Sequence, residues 1–210
     1  MSLLRCKEIF AIKKDKKVKM LANNIRSIGF SLQGASLSTL MTKLIAMVAS
    51  AIGIVVYFPS TSLSNTLVSN IKQITGCKSV PHLALAWLLH MWLLMQVLYV
   101  LLMSATQKDG YNNSEPRSMN PGGGRVYRLK CSADNTFESL VGFLVALAVL
   151  SSAGDKLSEA ENAMINKWAV LSMIARTIYP FAYVWDLDML RSVLFEICFF
   201  SYVAIITTAL

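Results

Sequence analysis

The sequence predicts an all-α integral membrane protein: a four-helix bundle preceded by an N-terminal extension with room for one further helix. Two observations lead there. Apolar residues make up 55% of the 210 residues and charged residues only 15%, where a soluble domain carries roughly a quarter charged residues. The apolar residues also fall into runs close to the roughly 20 residues a helix needs to cross a bilayer. The length suits one domain and an appendage, with residues 1–81 as the extension and 82–210 as the bundle.

Residues 1–36 are basic and polar. Arg5, Lys7, Lys13, Lys14, Lys16, Lys17, Lys19 and Arg26 face only Glu8 and Asp15, and they carry much of the net charge of +8. A basic segment ahead of apolar spans sets topology or touches anionic lipid, so nucleic acid is not expected as a partner. Residues 41–58 hold an apolar stretch with no charge after Lys43. It reads as an extra span, a signal anchor or the apolar part of a targeting peptide. The membrane of the endoplasmic reticulum or of another organelle is the expected location. Residues 59–81, rich in Ser, Thr and Asn, read as a connection.

The first span is His82 to Ser104, without a formal charge over its whole length. Its His90 and Gln96 are read as internal polar contacts between helices. A loop with Pro116, Pro121 and Gly122-Gly123-Gly124 follows. That density of Gly and Pro breaks a helix, and without a following GK[ST] it is no phosphate loop. The second span runs from about Asn135 to Ala153. The third runs from Lys167 to about Val184 with Arg176 in its middle. After the turn Trp185-Asp186-Leu187-Asp188, the fourth runs from about Met189 to Leu210. Cys6, Cys77, Cys131 and Cys198 are scattered and the two histidines stand alone, so neither a metal site nor a disulfide framework is expected.

The loop 105–134 is the more basic one, which places it on the cytoplasmic-type side together with the 185–189 turn. The starts of spans two and four and the end of span three then share one membrane face. Asn135, Glu138, Tyr183 and Arg191 lie there, with Arg176 deeper. Asn135 and Glu138, three apart, share a helix face; they read either as a capping box or as ligand contacts. Arg176 in mid-span is costly and calls for a partner: a polar ligand, or an ion pair with Glu138 or Glu196. Arg191 alone would read as a cation snorkelling to headgroups. As a set, these groups suit a small ligand with several carboxylates, because arginine grips carboxylates by forked, charge-assisted bonds.

Three stretches carry a resemblance: Arg125-Val126-Tyr127-Arg128, then residues 135–143 (NTFESLVGF), then residues 175–183 (ARTIYPFAY) followed by residues 190–195 (LRSVLF). In order and spacing they resemble the MAPEG superfamily, the membrane-associated proteins of eicosanoid and glutathione metabolism, over roughly residues 82–210. The resemblance implies a homotrimer in the lipid bilayer, with glutathione as co-substrate bound between neighbouring protomers. It implies that Asn135, Glu138, Arg176 and Tyr183 hold glutathione, and that Arg191 stabilises its thiolate. An apolar second substrate would arrive from the lipid. Glutathione transferase or peroxidase activity on a lipophilic electrophile or hydroperoxide follows from that reading. The chain departs from the pattern at four places. Cys131 stands where an arginine is usual, and Arg128 would take that role only across a three-residue insertion. Gly142 replaces a proline, Phe195 replaces a tyrosine, and Glu196 is an additional acid. The departures at Cys131 and Phe195, with the unmatched N-terminal segment, favour the competing reading, a non-catalytic membrane subunit that uses the bundle to dock protein partners. A transporter is a third reading, disfavoured by the absence of an internal repeat.

Overall fold

The computed structural model describes residues 37–106 and 124–210. The basic stretch 1–36 and most of the Pro/Gly loop, residues 107–123, lie outside them. The described residues form six helices and no strand: α1 Leu37–Tyr57, α2 Ser62–Thr75, α3 Val80–Thr106, α4 Gly124–Ala153, α5 Glu159–Val184 and α6 Asp188–Ala209. The chain divides into two compact units, Met1–Leu44 and Ile45–Leu210. Of the first, only the opening turns of α1 are described.

Within the second unit α3, α4, α5 and α6 make the expected four-helix bundle. The α5–α6 pair packs most extensively; α3 adjoins α4 and α5, and α6 adjoins α4 and α5. Buried Ala133, Ala146, Ala169, Ala175 and Ala182 let the helices approach closely, as small residues do in membrane bundles. Leu88, Phe143, Ile165, Val170 and Ile205 fill the space between. Outside, α3 presents Leu89, Leu93, Leu94, Val97, Leu98 and Leu101. Water would penalise a belt of that extent, whereas lipid solvates it.

Four segments are long and apolar enough to cross a membrane: Met41–Ser60, Val80–Thr106, Gly124–Ala153 and Asp188–Ala209. The chain is therefore a multi-pass integral membrane protein. The N-terminal stretch joins this set, and α5 does not. Lys167, Arg176, Pro180 and three tyrosine or tryptophan side chains lower the hydropathy of α5. Its bundle neighbours compensate, for Arg176 itself is 1% exposed.

Three boundaries differ from the sequence expectation. The connection 59–81 contains α2. Thr61 caps it by accepting from the Ser64 N–H at 3.2 Å, and Gly76 ends it at φ 63° with its N–H on the Lys72 carbonyl. Leu63, Leu67, Val68, Ile71 and Ile74 form one apolar arc, which the surrounding Ser, Thr and Asn obscure. Helix α5 starts at Glu159 instead of Lys167, because Ser158 and Glu161 form a capping box. Helix α4 starts at Gly124, well before Asn135. Asn135 is thus inside the helix, and the capping reading of Asn135 and Glu138 falls.

The segment after Leu44 is tied to α5 by main-chain chemistry. Pro59 has no N–H, so the Val55 carbonyl one turn earlier lacks its helical donor. The indole Nε1 of Trp168 supplies one at 3.2 Å. Lys167 Nζ donates to the Pro59 carbonyl at 2.8 Å.

Candidate functional site

The site forms where α4, the end of α5 and the start of α6 meet. The turn between α5 and α6 is tight: the Leu187 N–H reaches the Ala182 carbonyl at 2.9 Å, and Asp186 sits at φ 62°. Asp tolerates that left-handed conformation better than bulkier residues. The turn brings the first residues of α6 back beside Tyr183.

Tyr183 is the hub. Asn135 Nδ2 donates to its phenol oxygen at 2.5 Å. The Arg191 guanidinium lies over its ring, 4.6 Å from the centroid. Arg191 is further held by Asp188 Oδ1 at 3.0 Å, three residues earlier on the same helix. Arg128, two turns before Asn135 on α4, reaches the same turn, with Nη1 3.4 Å from Asp186 Oδ2. Its Nε is buried and has no hydrogen-bond partner among the described residues. The arrangement therefore presents two guanidinium groups, each fixed on one side by an aspartate of one short turn, with N–H groups left for a further acceptor.

The remaining two predicted residues lie elsewhere. Glu138 is exposed on the outer side of α4, next to exposed Phe137 and Val141. Arg176 is buried one layer below the cluster. Among the described residues no carboxylate pairs with it. The ion pair with Glu138 or Glu196 is not formed; Glu138 is exposed and Glu196 half-buried. The Arg176 guanidinium instead lies 4.5 Å from the Tyr179 ring centroid and 5.5 Å from that of Phe195. Among the described residues its Nε and Nη1 find no hydrogen-bond partner.

The structure adds residues that sequence reasoning missed. Tyr179 packs edge-to-face on Tyr183 with centroids 5.1 Å apart; its i, i+4 spacing from Tyr183 was the available signal. Asp186 and Asp188 anchor the two arginines. Deeper, Tyr202 exchanges a hydrogen bond with Ser139 at 2.5 Å and stands edge-on to Phe143 at 5.2 Å. Gly142 lies against the Tyr202 ring, where an added Cβ would meet ordinary contact at 3.5 Å.

A separate apolar cavity of about 240 Å³ lies between α2, α3 and α5. Its polar rim atoms, Trp87 Nε1 and Thr177 Oγ1, bond each other at 3.0 Å, so it offers no group for a charged ligand. Among the described residues no His, Cys, Asp and Glu cluster could hold a metal ion.

No curated protein and no solved structure matches the chain. Residues 80–210 match the model of the MAPEG family. That segment holds the whole bundle, every residue of the cluster and the three sequence stretches that carried the resemblance, and the chain belongs to the MAPEG family.

Proposed function

We propose that the chain is a membrane-bound, glutathione-dependent transferase or peroxidase that acts on a lipophilic electrophile or hydroperoxide. The observation that carries this reading is the meeting of Arg128, Asn135, Tyr183 and Arg191 at one end of the bundle. Glutathione has two carboxylates, an amine and a thiol. Arg128, whose side chain is partly exposed, is suited to a carboxylate, and Asn135 and Tyr183 to polar peptide groups. Arg191 beside the thiol favours the thiolate and so supplies a nucleophile at neutral pH. The thiolate attacks an electrophilic carbon, forming the C–S bond as the leaving group departs or the strained ring opens. With a hydroperoxide it attacks the terminal oxygen, giving an alcohol and the sulfenic acid of glutathione. A second glutathione then reduces that acid to the disulfide and water.

Glu138 supports a site shared between copies. An exposed carboxylate on a membrane-spanning helix is costly in lipid. A homotrimer covers it with a neighbouring protomer and brings it to the ligand amine. Arg176 then acts from below the site and not as a ligand contact. An organelle membrane, such as that of the endoplasmic reticulum, is the proposed location.

One observation favours a second reading, a non-catalytic docking subunit. Arg191 is already engaged by Asp188 and Tyr183, and Phe195 offers no hydroxyl. Binding of radiolabelled glutathione to the detergent-purified protein separates the two. The enzyme reading expects saturable binding that Glu138→Ala abolishes, and an Arg191→Ala variant that keeps binding but forms little thiolate. A folded wild type that binds no glutathione would leave the docking reading standing alone.

A further inference from the structure

The buried cation Arg176 and the outer cation Arg191 are connected by an unbroken stack. The Arg176 guanidinium covers the ring of Tyr179 at 4.5 Å. Tyr179 meets Tyr183 edge-to-face at 5.1 Å. Tyr183 carries Arg191 on its ring at 4.6 Å. All four residues lie on the last turns of α5 or the first turn of α6; Tyr183 and Arg191 are half-buried, whereas Tyr179 and Arg176 are 2% and 1% exposed.

We infer that Tyr179, gripped by Arg176, is a positioning residue that fixes the ring on which Arg191 rests, and thereby sets how well Arg191 holds the glutathione thiolate. The inference rests on the glutathione reading for its consequence, though not for its geometry. Three facts argue for it. First, the Arg176 guanidinium is buried with no carboxylate partner among the described residues, a costly placement for a cation. Packing alone would be better served by an apolar side chain of similar size, so a role outside stability explains its presence. Second, Pro180 lies inside α5 and removes the helical donor for the Arg176 carbonyl. One backbone bond is missing here, and the side-chain stack adds contacts across the same turn. Third, the Tyr183 phenol is held by a hydrogen bond from Asn135. That bond leaves rotation about the ring axis to be limited by the Tyr179 edge on one side and Arg191 on the other. Cation–π contacts strengthen on desolvation, and an edge-to-face pair prefers one orientation. The column therefore transmits a fixed ring plane from the buried cation to the outer one.

The test compares Tyr179→Phe, Tyr179→Leu and Arg176→Met in detergent micelles by two readouts. In ligand-free protein, isotope-labelled Arg191 reports the Tyr183 ring through the upfield displacement of its side-chain resonances. With glutathione added, ultraviolet absorbance of the thiolate is followed against pH. Tyr179→Phe keeps the ring and should retain both signals. Tyr179→Leu should lose the Arg191 displacement. The midpoint of thiolate formation should rise by about one pH unit, roughly tenfold less thiolate at neutral pH, with glutathione affinity changed less than about threefold. Arg176→Met should reduce the displacement while raising the melting temperature, because it removes an unpaired buried charge; a merely structural role predicts the two moving together. It also serves if Tyr179→Leu does not fold. Wild-type Arg191 signals in folded Tyr179→Leu, or failing that in Arg176→Met, overturn the inference. If the wild type binds no glutathione, the functional reading falls, and the ligand-free resonance shift decides the column by itself.

Discussion

The two halves of α5 obey opposite rules. In the first half several polar groups have defined partners. Ser158 and Glu161 close the capping box, Lys167 takes the Pro59 carbonyl, and Trp168 takes the carbonyl that Pro59 orphans. In the second half, Arg176 keeps two unbonded nitrogens, Pro180 breaks the ladder, and cations rest on aromatic rings. One helix thus joins a half that stabilises the bundle to a half that carries polar groups in reserve. Mutations in the first half should alter stability and spare ligand chemistry. Mutations in the second should do the reverse.

The largest effect tests the first half. Trp168→Ala removes a half-buried indole and leaves the Val55 carbonyl without its donor. Lost packing and an unsatisfied carbonyl together cost about 3 kcal/mol. Thermal unfolding in detergent should show a clear drop in melting temperature, while glutathione affinity of the folded protein stays within about twofold. Trp168→Phe, which keeps a ring and loses only the donor, should recover much of the loss. An unchanged melting temperature for Trp168→Ala would mean that the segment after Leu44 contributes nothing to holding the bundle.

Asn135→Ala probes the second half. It leaves the Tyr183 phenol without its partner from α4, at a stability cost of about 1 kcal/mol. Its ligand effect should be larger in proportion: about tenfold weaker glutathione binding, from a lost polar contact and a freed Tyr183 ring. Calorimetric titration beside a melting curve measures both. A variant that melts early yet binds normally would erase the distinction between the halves.

The contrast also explains what could be read in advance. Helices α3 and α6 were legible to within a few residues, because uninterrupted apolar runs leave few alternatives. The co-location of Asn135, Tyr183 and Arg191 was legible from charge asymmetry and antiparallel order. The role of Trp168 was not. It depends on a carbonyl released by Pro59, which lies 109 positions earlier in the chain, and no local pattern links the two. For Arg176 the sequence leaves a polar ligand and an ion pair with Glu138 or Glu196 both open, because a mid-span cation announces that it needs a partner but not which one. Among the described residues no carboxylate pairs with it, and the Tyr179 and Phe195 rings lie against its guanidinium. The helix α2 was obscured by composition, since its apolar arc is continuous only when the residues are wound at 3.6 per turn.

The smallest effect lies at the start of α5 and is read through pH. Ser158 donates to Glu161 through both its N–H, at 2.8 Å, and its hydroxyl, at 2.7 Å. These bonds, the hydroxyl first, hold the Glu161 carboxyl below the ordinary glutamate value of about 4.3. A carboxyl with a lower folded than unfolded pKa stabilises the fold fully above the unfolded value, and that stabilisation is lost as pH falls through the folded one. The wild type should therefore lose a small increment of melting temperature as pH drops from neutral into the acid carboxylate range. Glu161→Gln should show less of that slope. Ser158→Ala removes the cap itself, at about 1 kcal/mol, and should flatten the slope at the same time. Because the box sits at the far end of α5 from Tyr183, neither change should alter the pH at which bound glutathione ionises. A shift there would show that the two halves of the helix are mechanically coupled, and that its satisfied half participates in the chemistry of the other.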